Sequence, residues 1–351
     1  MANQPSQNRV NKANRRTVAA RYNVKVLRSL EATLLDDPEA DIAAILSSSY
    51  SQKLQTFKTP NSTKGRRTAS LSTNDLRHRL NGDEPTSVIF PLSAEIEKLA
   101  NGHPSRTGAL IQLLKDSEVL YESAWAASVM VFRVSETIVA KAGHEDYSIT
   151  EHRTLTYLQE HLPDFPAPRP HGLVRLGAHC LLFTSFIPGV NLEKAWTLLD
   201  HSQKHDIAGQ IGTLLFDMRS IPVPKNTLLG DVESGRCRDL RRSQRISKEP
   251  ITSVSKFEDF IFSGSETATP LYINMLRELM PETKKIVFTH GDIRPANIMV
   301  KQNNNGTWTV VAIIDWESSG FYPEYWEAVK ATNLLSPREQ VDWYHKLSKS
   351  K

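Results

Sequence analysis

The sequence predicts an α+β fold of two lobes, a small β-rich N-terminal lobe and a larger, mostly helical C-terminal lobe, preceded by a disordered basic tail. Three observations carry this. Residues 1–85 are dominated by Asn, Ser, Thr, Gln, Lys and Arg, with too little apolar side chain to offset the entropy of ordering. From about 105, short β-branched and apolar runs alternate with turn residues. From 191 the apolar spacing is mostly helical, broken by short strand-like runs that carry polar loops. The tail is therefore assigned to 1–85 and the two-lobed domain to 105–345, with its lobes at about 105–183 and 190–345.

Within the tail, one short helix is predicted around Ile42–Leu54. A weak apolar stripe (Val18, Tyr22, Val26, Leu30) lies near Arg15, Arg16, Arg21 and Arg28, and no acid precedes Glu31. This resembles a mitochondrial targeting segment, and ordinary basic disorder accounts for it equally well. Ser93 caps a helix in 92–101 that carries Ile96 and Leu99. The run 109–123 leads into a hairpin: Val129, Val131 and Val134 form one strand, Ser135–Glu136 the turn and Thr137–Lys141 the return. A helix follows over 147–162, with Ile149, His152, Leu155 and Leu158 on one side, and the Pro-rich 163–172 ends it. Residues 173–189 read as a second pair of strands, and 191–221 as helix with Asn191 as its cap. Residues 222–256 are loop-rich and basic, and a helix lies around 270–280. Strand, loop, strand, polar turn (Gln302–Thr307) and strand complete the pattern to 317.

The composition, 39% hydrophobic and 23% charged over 351 residues, suits a soluble chain with a sizeable core. Net charge is +4, but residues 1–80 hold 14 Lys and Arg against 6 Asp and Glu, so the remainder is net acidic. The basic charge belongs to the tail, and no nucleic-acid partner is expected for the main domain. Cys180 and Cys237 lack metal-ligand spacing and do not make a disulfide framework. No apolar run approaches the ~18–20 residues of a membrane span. A cytoplasmic location is expected, with the mitochondrion as the alternative, and no signal speaks to oligomeric state.

The sharpest signal is THGDIRPANIMV, residues 289–300, followed by VAIIDWE, residues 311–317. Phosphoryl transfer needs positioning, neutralisation of charge by a divalent metal, and a carboxylate near the attacking hydroxyl. Asp292 in a loop after a strand, with Asn297 five residues on, aims a carboxylate and an amide oxygen at one point. Asp315, at the end of the next strand, adds a second carboxylate, and oxygen ligands are what Mg²⁺ prefers. Each piece alone has a plainer reading: Asp292 as an Asx-turn, Asp315 as a strand-end cap, His290 satisfying a backbone carbonyl. Together they form a multi-point constraint that chance rarely meets.

Residues 289–300 and 311–327 resemble the catalytic and metal motifs of the aminoglycoside phosphotransferase/choline kinase-like family. IDWESSGFYPEYWEAVK is similar to the version in fungal phosphotransferases. The resemblance covers roughly 105–335. It implies a bilobed protein kinase-like fold and transfer of the γ-phosphate of ATP, with Mg²⁺, to a hydroxyl of a small-molecule acceptor. It implies Asp292 as catalytic base, Asn297 and Asp315 as metal ligands, and His290 as a residue that shapes the loop; Arg294, from its place inside that loop, either steadies a phosphate or pairs with Asp292. Lys141, ending ETIVAK, matches the family's phosphate-contacting lysine, with Glu151 its expected partner from the next helix. The phosphate loop would fall at 121–130, YESAWAASVM, where Ser123, Ser128 and the alanines between them are small but no glycine is present. Thr184–Ile187, with Phe186 between them, resembles the connector whose backbone reads the adenine edge.

Two features depart from the family. The glycine-free loop keeps a second reading open, a catalytically weak or inactive kinase-fold binding protein. Family members continue with further helices past the PEYWE segment, whereas this sequence ends at Lys351, which leaves two expectations open, an incomplete acceptor pocket or a truncated or divergent copy. On the acceptor side, Tyr322, Glu324, Tyr325, Trp326 and Glu327 either suit a cationic or hydroxylated molecule or divide between core and solvent. HGD in place of HRD, DWE in place of DFG and the absence of an APE-like segment argue against a protein kinase.

Overall fold

A computed structural model describes residues 18–46, 50–58, 75–123, 129–239, 245–263, 268–333, 335 and 341–347. Its contacts divide into two units, 1–70 and 71–351. The first holds α1 (Val18–Asp36), α2 (Ile42–Ile45) and α3 (Tyr50–Lys58). Tyr22 stacks on Tyr50 with centroids 5.8 Å apart and tilts against Phe57 at 5.1 Å. Tyr50 also donates to the Asn23 amide oxygen at 3.0 Å. Order here therefore rests on pairs distant in sequence, which is why a local reading found a single helix around Ile42–Leu54.

In the second unit, β1 (Thr86–Phe90), α4 (Ala94–Leu99), α5 (Arg106–Asp116), β2 (Glu118–Glu122), β3 (Met130–Arg133), β4 (Ile138–Gly143), α6 (Glu145–His161), β5 (Pro170–Leu176) and β6 (His179–Ser185) build the N-terminal lobe. Its six-stranded antiparallel sheet runs β1-β5-β6-β4-β3-β2. Leu110, Leu114, Phe132, Ile138, Ala140 and Phe183 fill the core between the sheet and α5. Leu76 joins that core, and beside it Arg77 pairs with Asp75 at 2.7 Å and donates to the Ser117 carbonyl at 3.1 Å. The lobe thus recruits residues well before 105. β1 is an edge strand without clean alternation, so its sequence carries little strand signal.

On β4, Ile138, Ala140 and Ala142 enter the core. A strand alternates its faces, so Lys141 points the other way. α6 begins at Glu145, two residues earlier than its apolar pattern suggests, and Glu151 lies in its second turn.

His152, also on α6, stacks on Phe90 at 4.1 Å. Burial, aided by the Arg153 charge, lowers its pKa to about 4. The unfolded imidazole takes a proton near pH 6.5 and the native one only near 4. Between these values the unfolded state binds more protons, so stability falls as pH falls through this window. The loss should reach up to about 3 kcal/mol by pH 4. Urea unfolding at pH 7 and 4.5 should show a smaller pH difference in His152→Gln than in the parent chain.

The C-terminal lobe contains β7 (Val190–Asn191), α7 (Leu192–Ala195), α8 (His201–Arg219), β8 (Arg238–Asp239), β9 (Arg245–Ile246), α9 (Val254–Phe262), α10 (Pro270–Glu278), β10 (Ile286–Thr289), β11 (Ile298–Gln302), β12 (Trp308–Ile313), β13 (Gly320–Pro323), α11 (Trp326–Ala331) and α12 (Trp343–Leu347). The helix expected over 191–221 is two. Asn191 caps α7, and a capping box of Asp200 and Gln203 starts α8 afresh. β10 pairs with β13, and β11 with β12 and β7, all antiparallel. The loop from β10 to β11 therefore lies beside the loop from β12 to β13. No helix among the described residues is long and apolar enough to cross a membrane.

Candidate active site

These two loops hold the HGD and IDW motifs, and backbone bonds stitch them together. Ile314 N–H donates to the Asn297 carbonyl at 2.9 Å. His290 Nε2 donates to the Ile314 carbonyl at 3.1 Å, and its Nδ1 accepts the Asp292 N–H at 3.1 Å. Those bonds require the neutral Nε2–H tautomer. The ring is fully buried against Trp316 at 4.5 Å, and burial holds its pKa below the usual value. His290 is thus a strut of the loop, facing no solvent. Gly291 sits at φ +78°, and a Cβ there would come within 2.5 Å of the Ser318 carbonyl oxygen. Only glycine fits this crossing.

Asp292 Oδ2 accepts from Asn297 Nδ2 at 2.8 Å and from Arg294 Nε at 3.1 Å, and Asn297 Nδ2 also reaches the Asp292 carbonyl at 3.0 Å. Burial raises the Asp292 pKa and Asp315 adds to the rise, opposed by Arg294. The 3-10 turn Pro295–Asn297 brings Asn297 back onto the loop that carries Asp292.

Lys141 bridges the lobes. Its ammonium contacts Glu151 at 2.7 Å, Glu317 at 2.9 Å and Asp315. The other oxygen of Glu151 accepts the Trp316 N–H at 3.2 Å, so α6 is tied directly to the IDW loop. Asp315 has φ +72°, an uncommon conformation for a residue with a Cβ, and one that clusters at functional sites. Burial alone would lower Lys141, but the three carboxylates hold it well above its ordinary value. Burial alone would raise Asp315, but Lys141 overrides it and holds the carboxyl low. Burial raises Glu317, with Asp315 adding to it, and pushes Glu151 up to about 7. One cation faces three acids, so the cluster carries more negative than positive capacity.

The structure thus gathers Lys141, Glu151, Asp292, Asn297, Arg294, His290 and Asp315 at the junction of the lobes. The other residues expected on the nucleotide side are placed differently. Ser123 N–H donates to the Val129 carbonyl at 3.0 Å and closes the β2–β3 hairpin, while Ser128 lies outside the described residues. Thr184 is buried in the sheet between Val139 and Pro170, and Phe186 N–H donates to the Thr137 carbonyl at 2.6 Å. Of the segment Thr184–Ile187 expected to read the adenine edge, Thr184 is thus paired on both sides within the sheet and the Phe186 amide is bonded. Ile187 lies past those bonds.

On the acceptor side, Tyr322, Tyr325 and Trp326 are buried, packing around Phe257. They are core rather than pocket wall. Glu327 was expected either to meet an acceptor or to face water, and it does neither. It is 3% exposed and accepts the His290 N–H at 2.7 Å and the Gly291 N–H at 3.1 Å. Glu317 also escaped the sequence reading. Its position two residues beyond Asp315 was the available signal.

Residues 127–349 match the model of the phosphotransferase enzyme family. No curated protein matches the chain. Among solved structures, the streptomycin–ATP ternary complex of APH(2")-IIa is 14% identical with TM-score 0.45, covering 74% of this chain and 82% of that one. ADP-bound APH(2'')-Ib is 17% identical with TM-score 0.44, covering 74% and 82%. A thermostable mutant of APH(4)-Ia in its apo form is 15% identical with TM-score 0.43, covering 61% and 71%. With its two lobes, its paired loops and a family model matched over most of its length, the chain belongs to the phosphotransferase enzyme family.

Proposed function

We propose that this protein transfers the γ-phosphate of ATP, with Mg²⁺, to a hydroxyl of a small-molecule acceptor. The observation that carries the reading is the lobe-bridging cluster of Lys141, Glu151 and Asp315 beside the Asp292–Asn297 pair. Asp292 would take the proton of the acceptor hydroxyl. Its raised pKa favours that task, since a base works best with a pKa nearer the working pH. Asn297 and Arg294 orient its carboxylate, and His290 and Glu327 hold the backbone beneath it. Lys141 would contact the α- and β-phosphates, aimed by Glu151.

The residues fit Mg²⁺. The carboxylate oxygens of Glu151, Asp315 and Glu317 lie within 4.8 Å of one another, and an all-oxygen donor set suits a hard cation. From that set Asp315, with Glu317, would hold the ion, joined by Asn297 as the motif's resemblance implies, and the ion would supply charge neutralisation on the phosphate oxygens.

A second reading, a kinase-fold binding protein without transfer activity, is favoured by the glycine-free 121–130 segment. Thermal unfolding of the full chain with ATP, with and without Mg²⁺, separates the two. Nucleotide at ~100 times its dissociation constant stabilises by ~2.7 kcal/mol, a rise of roughly 5 °C or more for a domain of this size. The expected result is a Mg²⁺-dependent rise that Asp315→Ala abolishes. No rise in a folded sample would overturn the nucleotide site and leave the binding-protein reading.

A further inference from the structure

We infer that the segment Gly230–Arg238 of the C-terminal lobe is a clamp that positions α6, and with it Glu151, through Arg238 and Glu233. This rests on the proposed pairing of Glu151 with a phosphate-contacting Lys141.

The clamp grips α6 on both sides of Glu151 along the helix. Before it, Arg238 Nη2 donates to the Asp146 carbonyl at 2.9 Å, and the guanidinium lies over the Tyr147 ring at 5.0 Å. After it, Arg153 pairs with Glu233. His144, at the N-cap of α6, makes no side-chain capping bond, so the helix start has no local anchor of that kind.

The segment is rooted firmly enough to act as a fixed point. Gly230 and Phe321 exchange backbone hydrogen bonds at 2.9 and 2.8 Å, which joins it to β13, directly after the Asp315 loop. The Asp231 carboxylate accepts the N–H groups of Glu233 at 3.1 Å and Ser234 at 2.6 Å, fixing the turn that presents Glu233. Cys237 is buried in the C-lobe core and exchanges bonds with Ser247, and Arg238 pairs with Ile246 in the β8–β9 ladder. One strand end therefore carries both Asp315's loop and the root of the clamp on Glu151's helix.

The need for such a clamp follows from the charge cluster. Glu151 shares the Lys141 ammonium with Asp315 and Glu317. A shared partner does not by itself fix which acid the lysine follows, and the Trp316 N–H that Glu151 also accepts at 3.2 Å ties it to the loop of a competing acid, Asp315. Holding α6 from outside fixes Glu151 before any ligand arrives, which lowers the ordering cost of binding. Arg238 and Glu233 are positioning residues, since neither touches Lys141.

The test uses the full chain with two readouts. The first is hydrogen exchange of α6 amides by mass spectrometry, with β11–β12 peptides as the control. The second is affinity for methylanthraniloyl-ADP with Mg²⁺. Arg238→Ala should speed α6 exchange and weaken the nucleotide about tenfold, the scale of losing a hydrogen bond from a charged donor. Glu233→Ala should give about two- to fivefold, the range of an exposed ion pair. The swap Arg153→Glu with Glu233→Arg should restore both readouts, which a merely structural effect would not. The control peptides should stay unchanged. Unchanged α6 exchange in Arg238→Ala would overturn the clamp. If Arg238→Ala loosens the control peptides as well, the mostly exposed Glu233 decides, through Glu233→Ala and the swap. Lys141→Ala tests the underlying reading separately. Nucleotide affinity insensitive to Lys141→Ala would sink the phosphate role while the exchange arm still decides the clamp.

Discussion

Asp292→Asn is expected to slow phosphotransfer by about 10²–10⁴-fold, the usual contribution of a general base, with the fold retained. The asparagine keeps an oxygen that can accept from Asn297 Nδ2, which lies 2.8 Å from the native carboxylate. What it loses is the capacity to take a proton. ADP formation with hydroxyl-bearing small molecules, followed beside a melting curve, checks both halves. An unchanged rate in a folded variant would assign the base elsewhere. An unfolded variant would show instead that the charge is needed to balance Arg294, 3.1 Å away.

Glu327→Leu is expected to destabilise the protein by about 2–4 kcal/mol, because removing the acceptor leaves two buried N–H groups unpaired. Those groups belong to His290 and Gly291, and the carboxylate that serves them is almost wholly enclosed. The loop has no room to find other partners. Gly291 already presses against the Ser318 backbone, and His290 is locked to the Ile314 carbonyl. Glu327→Gln keeps an acceptor oxygen that, in the place of Oε2, can serve both N–H groups, and should lose less, the cost being an amide NH2 set against the Gly291 N–H where Oε1 accepted it. Urea unfolding of the three proteins measures the order, and a Glu327→Leu variant as stable as the parent would show that the loop holds itself.

What could be read locally was read well. HGDIRPAN and IDWE are short, contiguous and flanked by apolar strands, so strand register alone brings their loops together. Lys141 and Glu151 are separated by one turn and part of a helix, which makes their meeting foreseeable. What the sequence left open is what burial decides. Tyr322, Tyr325 and Trp326 have the composition of a binding surface, but α9 covers them through Phe257. Glu327 has the composition of a solvent-facing acid, but α11 carries it under the HGD loop. Residues 75–85 read as tail because what orders them is distant in sequence: Leu76 joins the core of the N-terminal lobe and Arg77 reaches the Ser117 carbonyl.

The sequence by itself determined the two-lobed α+β class, the strand-loop-strand framework of the C-terminal lobe, and the HGD and IDW loops. Periodicity, turn chemistry and motif spacing act over a few residues, and those few residues are enough to specify them. Only the tertiary structure decided that three acids share Lys141, that Glu327 braces His290 and Gly291, and that Arg238 reaches α6. Each of these joins side chains from elements far apart in the chain. A charge or an N–H there takes its role from what buries and faces it, and packing alone determines that.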